Sequence, residues 1–262
     1  MAKRPLALVT GASGGIGADL ARELARDGHD LVLVARTATA LEKLAGELTG
    51  LGATASVEAV DLIAPGAVAA LMARLNGRGV EIDVLVNNAG FGDALPFVEG
   101  EPGKLTDIIT LNMTVLTQLM RAVLPAMKAR RAGRILNVAS TAAFQPGPGM
   151  AVYCATKAYV LSLSEAVDFE LRGSGVRVQA ICPGPTHTGF AKAAKAENNA
   201  LFKGGFNLVM QPAQVAQIGY RGFKRGKRVA ITGVINTVMA RLSPFTPRFI
   251  LLPITNALLG GH

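Results

Sequence analysis

Residues 10–17 read TGASGGIG, and this stretch decides the fold. It follows the apolar run LALV at 6–9 and precedes the helix-like stretch ADLARELARDG at 18–28. Glycine lacks a Cβ and tolerates positive φ, so a strand can turn sharply here into a helix. Backbone N–H groups at a helix N-terminus, together with the helix dipole, favour an anion. The stretch therefore predicts a phosphate-binding turn, although its G-x-x-x-G-x-G spacing differs from the commoner G-x-G-x-x-G.

The rest of the chain alternates apolar runs with helical stretches. The apolar runs occupy 6–10, 30–35, 54–60, 82–87, 133–140, 176–182 and 228–233. Because they lack polar alternation, we expect strands buried on both faces of a parallel sheet, with helices on each side. This pattern predicts an α/β, single-domain Rossmann fold, a doubly wound sheet of about seven strands. We assign 1–233 to the dinucleotide-binding and catalytic domain and 234–262 to an apolar C-terminal extension of it.

Composition narrows the class of protein. Half of the 262 residues are hydrophobic, which is enough for one α/β domain. Two cysteines, Cys154 and Cys182, favour a reducing cytoplasm over a disulfide framework. No uninterrupted apolar segment approaches the roughly 18 residues of a membrane span. The three histidines, at 29, 187 and 262, lack metal-ligand spacing, so we predict no metal site.

Positive charge is confined to the C-terminal part. Residues 1–184 hold 17 basic and 17 acidic residues, whereas 185–262 hold 10 basic residues and one acid, Glu197. A neutral main domain argues against nucleic-acid binding. The basic part is compatible with a solvated face, an anionic substrate or a membrane surface.

A tyrosine and a lysine suggest acid–base chemistry. Tyr153 and Lys157 in VYCATKAYV lie four apart, on one face of a predicted helix. A phenol has a pKa of about 10, and a nearby ammonium lowers it toward the range useful for proton transfer. Ser140 ends the strand GRILNVAS, where its hydroxyl can hold a substrate oxygen or merely cap the strand end.

Taken together, these features resemble the short-chain dehydrogenase/reductase family, including its NADP-preferring 3-oxoacyl reductases. The matching residues are TGASGGIG at 10–17, Asp61, NNAG at 87–90, Asn112, Ser140, Tyr153, Lys157 and PGPTHT at 183–188. Their order and spacing match from residue 6 to about residue 233. The resemblance implies an oxidoreductase that acts on CH–OH groups or carbonyls, in which Tyr153 gives the proton and the cofactor gives the hydride.

The same resemblance implies a role for each cofactor residue. The pyrophosphate lies on Gly11, Ser13, Gly15, Ile16 and Gly17; the adenine on Asp61; the adenosine ribose near Asn88, Ala89 and Gly90; the nicotinamide ribose on Tyr153 and Lys157; and the carboxamide on Pro183, Gly184, Thr186 and Thr188. The implied catalytic set is Asn112, Ser140, Tyr153 and Lys157, with Asn112 ordering a water that leads to Lys157. A solvated helix residue is the alternative for Asn112.

One position distinguishes the two nicotinamide cofactors. Ala35 stands where an acid would bind the ribose of NAD, and Arg36 follows it. An arginine there pairs with a 2′-phosphate. We therefore predict NADP (NADPH) and a reductive direction, with a solvated Arg36 as the alternative.

The sequence says less about the substrate than about the cofactor. A loop at 186–210 carries the aromatic residues Phe190, Phe202 and Phe206 and the basic residues Lys192, Lys195 and Lys203. This composition suits a fatty or aromatic carbonyl compound with an anionic handle, such as a 3-oxoacyl thioester, but also an ordinary solvated loop. A dinucleotide-sensing protein would not need the intact catalytic set. A sugar-nucleotide epimerase or dehydratase usually has a larger C-terminal substrate domain.

The extension at 234–262 allows two interpretations. As a cap or an oligomer contact it would bury Phe245, Phe249, Ile250 and Leu251, and we favour this. As a membrane-peripheral segment of a lipid-modifying reductase, its arginines at 241 and 248 would meet anionic headgroups. Pro253 is expected to break any helix here. A homodimer or homotetramer is implied by the resemblance, through the helices that contain Asn112 and Tyr153.

Overall fold

The computed structural model describes residues 4–197, 199 and 209–259. The strands are β1 (Leu6–Thr10), β2 (Asp30–Ala35), β3 (Ala55–Ala59), β4 (Val84–Asn87), β5 (Gly133–Val138), β6 (Val176–Cys182) and β7 (Val229–Ile231). The helices are α1 (Gly15–Arg26), α2 (Ala38–Thr49), α3 (Ala67–Gly77), α4 (Pro102–Ile109), α5 (Leu116–Ala129), α6 (Ala151–Glu170), α7 (Phe190–Ala193), α8 (Pro212–Lys224), α9 (Val234–Leu242) and α10 (Arg248–Leu259).

All seven strands form one parallel sheet in the order β3-β2-β1-β4-β5-β6-β7. In the centre, Leu8 of β1 pairs with Val32 of β2 on one side and with Leu85 of β4 on the other. The strand order reverses between β1 and β4, and ligands of doubly wound folds bind at such a reversal. The predicted fold class is confirmed.

Alternate residues of the central strands enter separate cores on the two faces of the sheet. Leu8 and Leu85 face a cluster that includes Leu119 of α5. Val9 and Val86 face the other cluster, which includes Leu24 of α1. Burial on both faces explains the apolar runs that lack polar alternation.

One long helical segment with an irregular centre runs from Pro102 to Ala129. Between α4 and α5 the chain makes a π-helical turn, Thr110–Val115. The segment Pro102–Ala129 is long enough, and over part of its length apolar enough, to cross a membrane by length and composition alone. We interpret it as a core helix because Leu116, Leu119 and Val123 pack against the sheet. Polar residues interrupt its apolar run, which is why no uninterrupted apolar segment of membrane-spanning length is found in the sequence.

The C-terminal extension differs from its expected form in two respects. Pro253 lies inside α10 and does not end it. The carbonyl that loses its helical partner belongs to Phe249, which is exposed, so water can replace the missing N–H. Of the four side chains expected to be buried, only Leu251 is, whereas Phe245, Phe249 and Ile250 remain exposed.

Candidate active site

A cleft of about 510 Å³ opens at the carboxyl edge of the sheet, beside the reversal of strand order. Sixteen of the predicted site residues line it: Gly11, Ser13, Gly15, Ile16, Arg36, Asp61, Asn88, Ala89, Gly90, Ser140, Tyr153, Lys157, Pro183, Gly184, Thr186 and Thr188. The two that do not line it are Gly17 and Asn112. The cleft therefore joins the glycine turn, at one end, to the tyrosine and lysine at the other.

The glycine turn is clamped by hydrogen bonds from β4. The Thr10 hydroxyl donates to the Val86 carbonyl (3.2 Å) and accepts from the backbone N–H groups of Asn88 (3.0 Å) and Ala89 (3.1 Å). The Asn88 side-chain amide donates to the carbonyls of Thr10 and Gly11, both at 3.0 Å. Asn88 thus fixes the turn as well as lining the cleft. Thr10 was not predicted as a site residue, although it is the first residue of the stretch TGASGGIG.

Close packing explains the outer glycines of the turn. A Cβ on Gly11 would lie 2.7 Å from the Asn88 amide nitrogen, and its φ of +65° suits glycine. A Cβ on Gly17 would lie 2.3 Å from that nitrogen and 2.4 Å from the Gly11 carbonyl oxygen. Gly17 is buried and packs against Asn88 and the Gly11 carbonyl.

At the end of the cleft that holds the glycine turn, Arg36 and Asp61 follow β2 and β3. Both side chains are exposed. Asp61 accepts a hydrogen bond from the Ile63 backbone N–H at 3.2 Å. Arg36 forms no ion pair with any acid in the part of the chain that the structure describes. Its guanidinium is therefore available to an anion in the cleft.

The reactive end is built on α6. The Lys157 ammonium donates to the Val138 carbonyl at 2.8 Å and lies 5.7 Å from the centre of the Tyr153 ring. Burial lowers the pKa of Lys157 to about 8. Burial also raises the pKa of Tyr153 above its ordinary value, and the neighbouring Ser140 hydroxyl opposes that rise. The expected lowering of the Tyr153 pKa by Lys157 is therefore wrong here, because burial of the phenol dominates.

Ser140 both caps the end of a strand and lines the cleft, the two alternatives expected from the sequence. It is the N-cap of a short 3₁₀ turn, Thr141–Phe144, and its Oγ accepts from the Ala142 backbone N–H at 3.1 Å. The same hydroxyl donates to the Pro183 carbonyl at 3.4 Å and lines the cleft. The cap holds this hydroxyl at the carboxyl end of β5.

Asn112 lies behind the cleft, in the π-helical turn. Its side-chain amide donates to the Phe91 carbonyl and to the Thr156 hydroxyl, both at 3.0 Å, and its carbonyl oxygen accepts from the Phe91 N–H at 3.2 Å. The solvated alternative is wrong, since Asn112 is buried. A Cβ on Gly90 would lie 2.8 Å from Asn112 Oδ1 and 3.4 Å from Lys157 Nζ, so Asn112 lies close to that lysine. Such π-helical turns often occur at functional sites.

The loop after β6, which begins at Pro183, lines one side of the cleft. The Thr186 hydroxyl donates to the Gly184 carbonyl at 2.9 Å, and Thr186 forms a parallel bridge with Met210. A Cβ on Gly184 would lie only 2.1 Å from the amide nitrogen of Asn236, which is buried in α9. The first helix of the C-terminal extension thus packs directly beneath this loop.

Apolar side chains from separate parts of the chain surround the Tyr153 ring. The Phe190 ring centre lies 5.0 Å from it, and Met150 and Leu259 line the same end of the cleft. No local sequence pattern points to Leu259, which lies in α10. Lys192 and Lys195 are exposed beside Phe190, while the predicted Phe202, Lys203 and Phe206 lie outside the described residues.

Comparisons with known proteins agree with this geometry. The family model described as short chain dehydrogenase matches residues 5–199. The oxidoreductase UcpA of Escherichia coli is 37% identical over 194 residues, which cover 74% of this chain and 73% of UcpA. The very-long-chain 3-oxoacyl-CoA reductase let-767 of Caenorhabditis elegans is 39% identical over 197 residues, 72% of this chain and 62% of that protein. A short-chain dehydrogenase from Sphingobium yanoikuyae, solved with NADPH, is 38% identical with a TM-score of 0.81 over 88% of each chain.

Proposed function

The chain belongs to the short-chain dehydrogenase/reductase family of oxidoreductases, and we propose that it uses NADPH to reduce a carbonyl compound to an alcohol. One observation carries this proposal. A single cleft is lined at one end by the glycine turn and at the other by Ser140, Tyr153 and Lys157. A dinucleotide bound along the cleft would bring its reactive end to the tyrosine.

The residues of the cleft fit NADPH. The turn brings Gly11 and Gly15 to the N-terminus of α1, where a Cβ on Gly11 would strike Asn88. The N–H groups there suit a pyrophosphate. Arg36 suits a 2′-phosphate, and the Sphingobium neighbour, solved with NADPH, supports that choice. When bound, the cofactor supplies the hydride that the carbonyl carbon receives.

The protein's own residues then handle the oxygen and the proton. Ser140 and Tyr153 donate hydrogen bonds to the carbonyl oxygen, where negative charge develops. A phenol is protonated at neutral pH, so Tyr153 can donate the proton, although burial moves its pKa away from the range in which transfer is easiest. Lys157, held by the Val138 carbonyl, provides positive charge for the phenolate that remains. Asn112 is a positioning residue, because it holds the backbone of Phe91 next to Gly90 and Lys157.

The surroundings of Tyr153 indicate the substrate class. Met150, Phe190 and Leu259 form an apolar wall beside the phenol, which suits an aliphatic or aromatic carbonyl compound. The exposed Lys192 and Lys195 would favour an anionic handle such as that of a 3-oxoacyl thioester. The similarity to let-767 supports this choice of substrate.

Two further properties stay predictions. A reducing compartment such as the cytoplasm suits this chain, since Cys154 and Cys182 are both free thiols buried within it. A homodimer or homotetramer would cover exposed apolar residues such as Ile109 in α4 and Phe169 in α6. Analytical ultracentrifugation measures that assembly directly.

The reductase activity is tested by following NADPH oxidation against a panel of aliphatic, aromatic and 3-oxoacyl carbonyl compounds. Tyr153→Phe removes the proton donor but keeps the ring, so NADPH affinity should persist while turnover falls by about 10²- to 10⁴-fold. Tyr220→Phe is the matched control, since its hydroxyl donates to Asp27 on the far side of α1. Turnover in Tyr153→Phe within tenfold of the control would contradict the proposed role.

A further inference from the structure

The outer surface of α9, α10 and the turn between them is unusually apolar. Ten of the fifteen large apolar side chains exposed in the described residues belong to it. This tail surface consists of Val234, Ile235, Val238, Met239, Leu242, Phe245, Phe249, Ile250, Leu252 and Ile254. Phe245 is 86% exposed and Phe249 is 78% exposed. Exposed apolar surface on this scale marks an interaction site.

The sequence of each helix explains why this surface faces outward. In α9 the exposed residues recur at i, i+1, i+4, i+5 and i+8 from Val234, which places them on one stripe opposite the buried Asn236 and Ala240. In α10 no charged residue follows Arg248, so its outward arc is apolar apart from Asn256. A helix that is apolar on nearly every side is expected to be buried, so its outer side also needs an apolar surface to pack against.

The charges of this segment indicate what kind of partner covers the tail surface. No Asp or Glu follows Glu197 in the sequence. Arg241 and Arg248 are exposed at the edges of the tail surface, and neither forms an ion pair with any residue that the structure describes. Residues 234–262 therefore combine an apolar surface with two arginines and no acid, which complements a layer that is apolar inside and negative at its edge.

We propose that the tail surface docks on an anionic lipid bilayer. Phe245 and Phe249 enter the boundary between headgroups and acyl chains, while Arg241 and Arg248 meet the lipid phosphates. A second copy of the chain fits less well. A two-fold contact through this surface would bring the Arg241 and Arg248 of both copies to one interface, and residues 234–262 contain no acid to pair with them.

Docking also orients the cleft. The inward stripe of α10 consists of Leu251, Thr255 and Leu259, and Leu259 lines the cleft beside Tyr153. One short helix therefore has an outer side on the lipid and an inner side on the reaction site. On the proposed function, this arrangement favours an apolar carbonyl compound that partitions into the bilayer.

The experiment measures sedimentation of the purified full chain with lipid vesicles, without substrate or turnover. Vesicles of phosphatidylcholine mixed with phosphatidylglycerol are compared with pure phosphatidylcholine, each in low and high salt. We expect binding to the mixed vesicles only, with release as the salt concentration rises. Because no turnover is measured, failure of the reductase assay leaves this result unaffected.

Two single variants separate the apolar and the charged contributions. Phe249→Ser should weaken binding to mixed vesicles by about twentyfold, and Arg248→Gln by about fivefold. The matched controls are Phe97→Ser, an exposed phenylalanine outside the tail surface, and Arg121→Gln, an exposed arginine of α5. Both controls should bind as the wild type does. Affinity for NADPH and the thermal midpoint verify that every variant is folded.

Three outcomes would overturn the proposal. The first is no sedimentation with either vesicle, and the second is equal sedimentation with both at all salt concentrations. The third is an unchanged vesicle affinity in Phe249→Ser together with a smaller oligomer in ultracentrifugation, which would assign the tail surface to a second copy.

Discussion

The two walls of the cleft are built in different ways. On the cofactor wall, Thr10, Gly11 and Asn88 are fixed by hydrogen bonds of 3.0–3.2 Å and by contacts that exclude even one methyl group. The substrate wall consists of Met150, Phe190 and Leu259, which approach through apolar contact alone. Directional bonds permit one arrangement, whereas apolar packing accepts many shapes of similar volume. The first wall therefore specifies a ligand tightly, and the second can be altered without disturbing the first.

The largest expected effect is on the rigid wall. Gly17→Ala puts a methyl group against Asn88 and the Gly11 carbonyl, so the free energy of unfolding should fall by about 3 kcal/mol. Chemical denaturation measures the change. Gly46→Ala in α2 is the control, because a Cβ there meets nothing within 4 Å and should leave stability equal or slightly higher. Equal midpoints for Gly17→Ala and wild type would show that this wall is not rigid.

The next effect concerns selectivity at the adenosine end of the same wall. Arg36→Ala removes a charge-assisted hydrogen bond to the 2′-phosphate, so the dissociation constant of NADPH should rise by about 10- to 100-fold. The affinity for NADH should stay nearly unchanged, because NADH lacks that phosphate. Titration of both cofactors provides the test. Arg121→Ala serves as the control, and equal losses for NADPH and NADH would refute recognition of the 2′-phosphate.

A smaller effect is expected on the adaptable wall. Leu259→Ala removes part of the apolar surface beside Tyr153. A small ketone then loses contacts with the cleft, whereas a bulky ketone gains space. The ratio of kcat/KM for the small over the bulky ketone should fall by about tenfold, with NADPH affinity unchanged. Leu252→Ala, on the outer side of the same helix, is the matched control. A parallel loss of NADPH affinity would mean that the two walls are coupled.

The most gradual effect is a pH dependence at the junction of the walls, at most about 1.4 kcal/mol for each pH unit. Burial lowers the pKa of Lys157 from 10.5 to about 8. Between these values the unfolded chain binds more protons than the folded one, so this residue makes stability rise with pH. Lys157→Met abolishes that contribution, so the wild type should gain stability relative to the variant from pH 8 to 10.5. Thermal midpoints across this window measure it, and a constant difference would contradict the assignment.

The contrast between the walls also explains what the sequence could reveal. The turn TGASGGIG is a local pattern of glycines between a strand and a helix, and the strands are apolar runs, so both were predictable. The approach of Leu259 to Tyr153 joins positions that no local pattern connects. The irregular turn at Asn112 was also missed, since helical periodicity does not distinguish a π-helical turn from its α-helical neighbours.

The C-terminal extension was hardest to foresee, for a different reason. Apolar composition predicts burial, yet it does not say whether protein or lipid provides the cover. Pro253 was expected to end a helix, but its missing hydrogen bond falls on an exposed turn where water replaces it. Leu251 is buried as expected, whereas Phe249 is exposed. Even within α10, therefore, some apolar side chains are covered by protein and others are not.

The clamp on the glycine turn also sets an order of events during synthesis. Thr10 and Asn88 are 78 positions apart, so the turn emerges from the ribosome long before its partner. The phosphate-binding shape can form only after β4 has docked beside β1 at the centre of the sheet. Nucleotide binding by a growing chain would therefore report that the central pair of strands is complete. Because the turn forms only in the folded sheet, bound NADPH would stabilise that sheet by mass action.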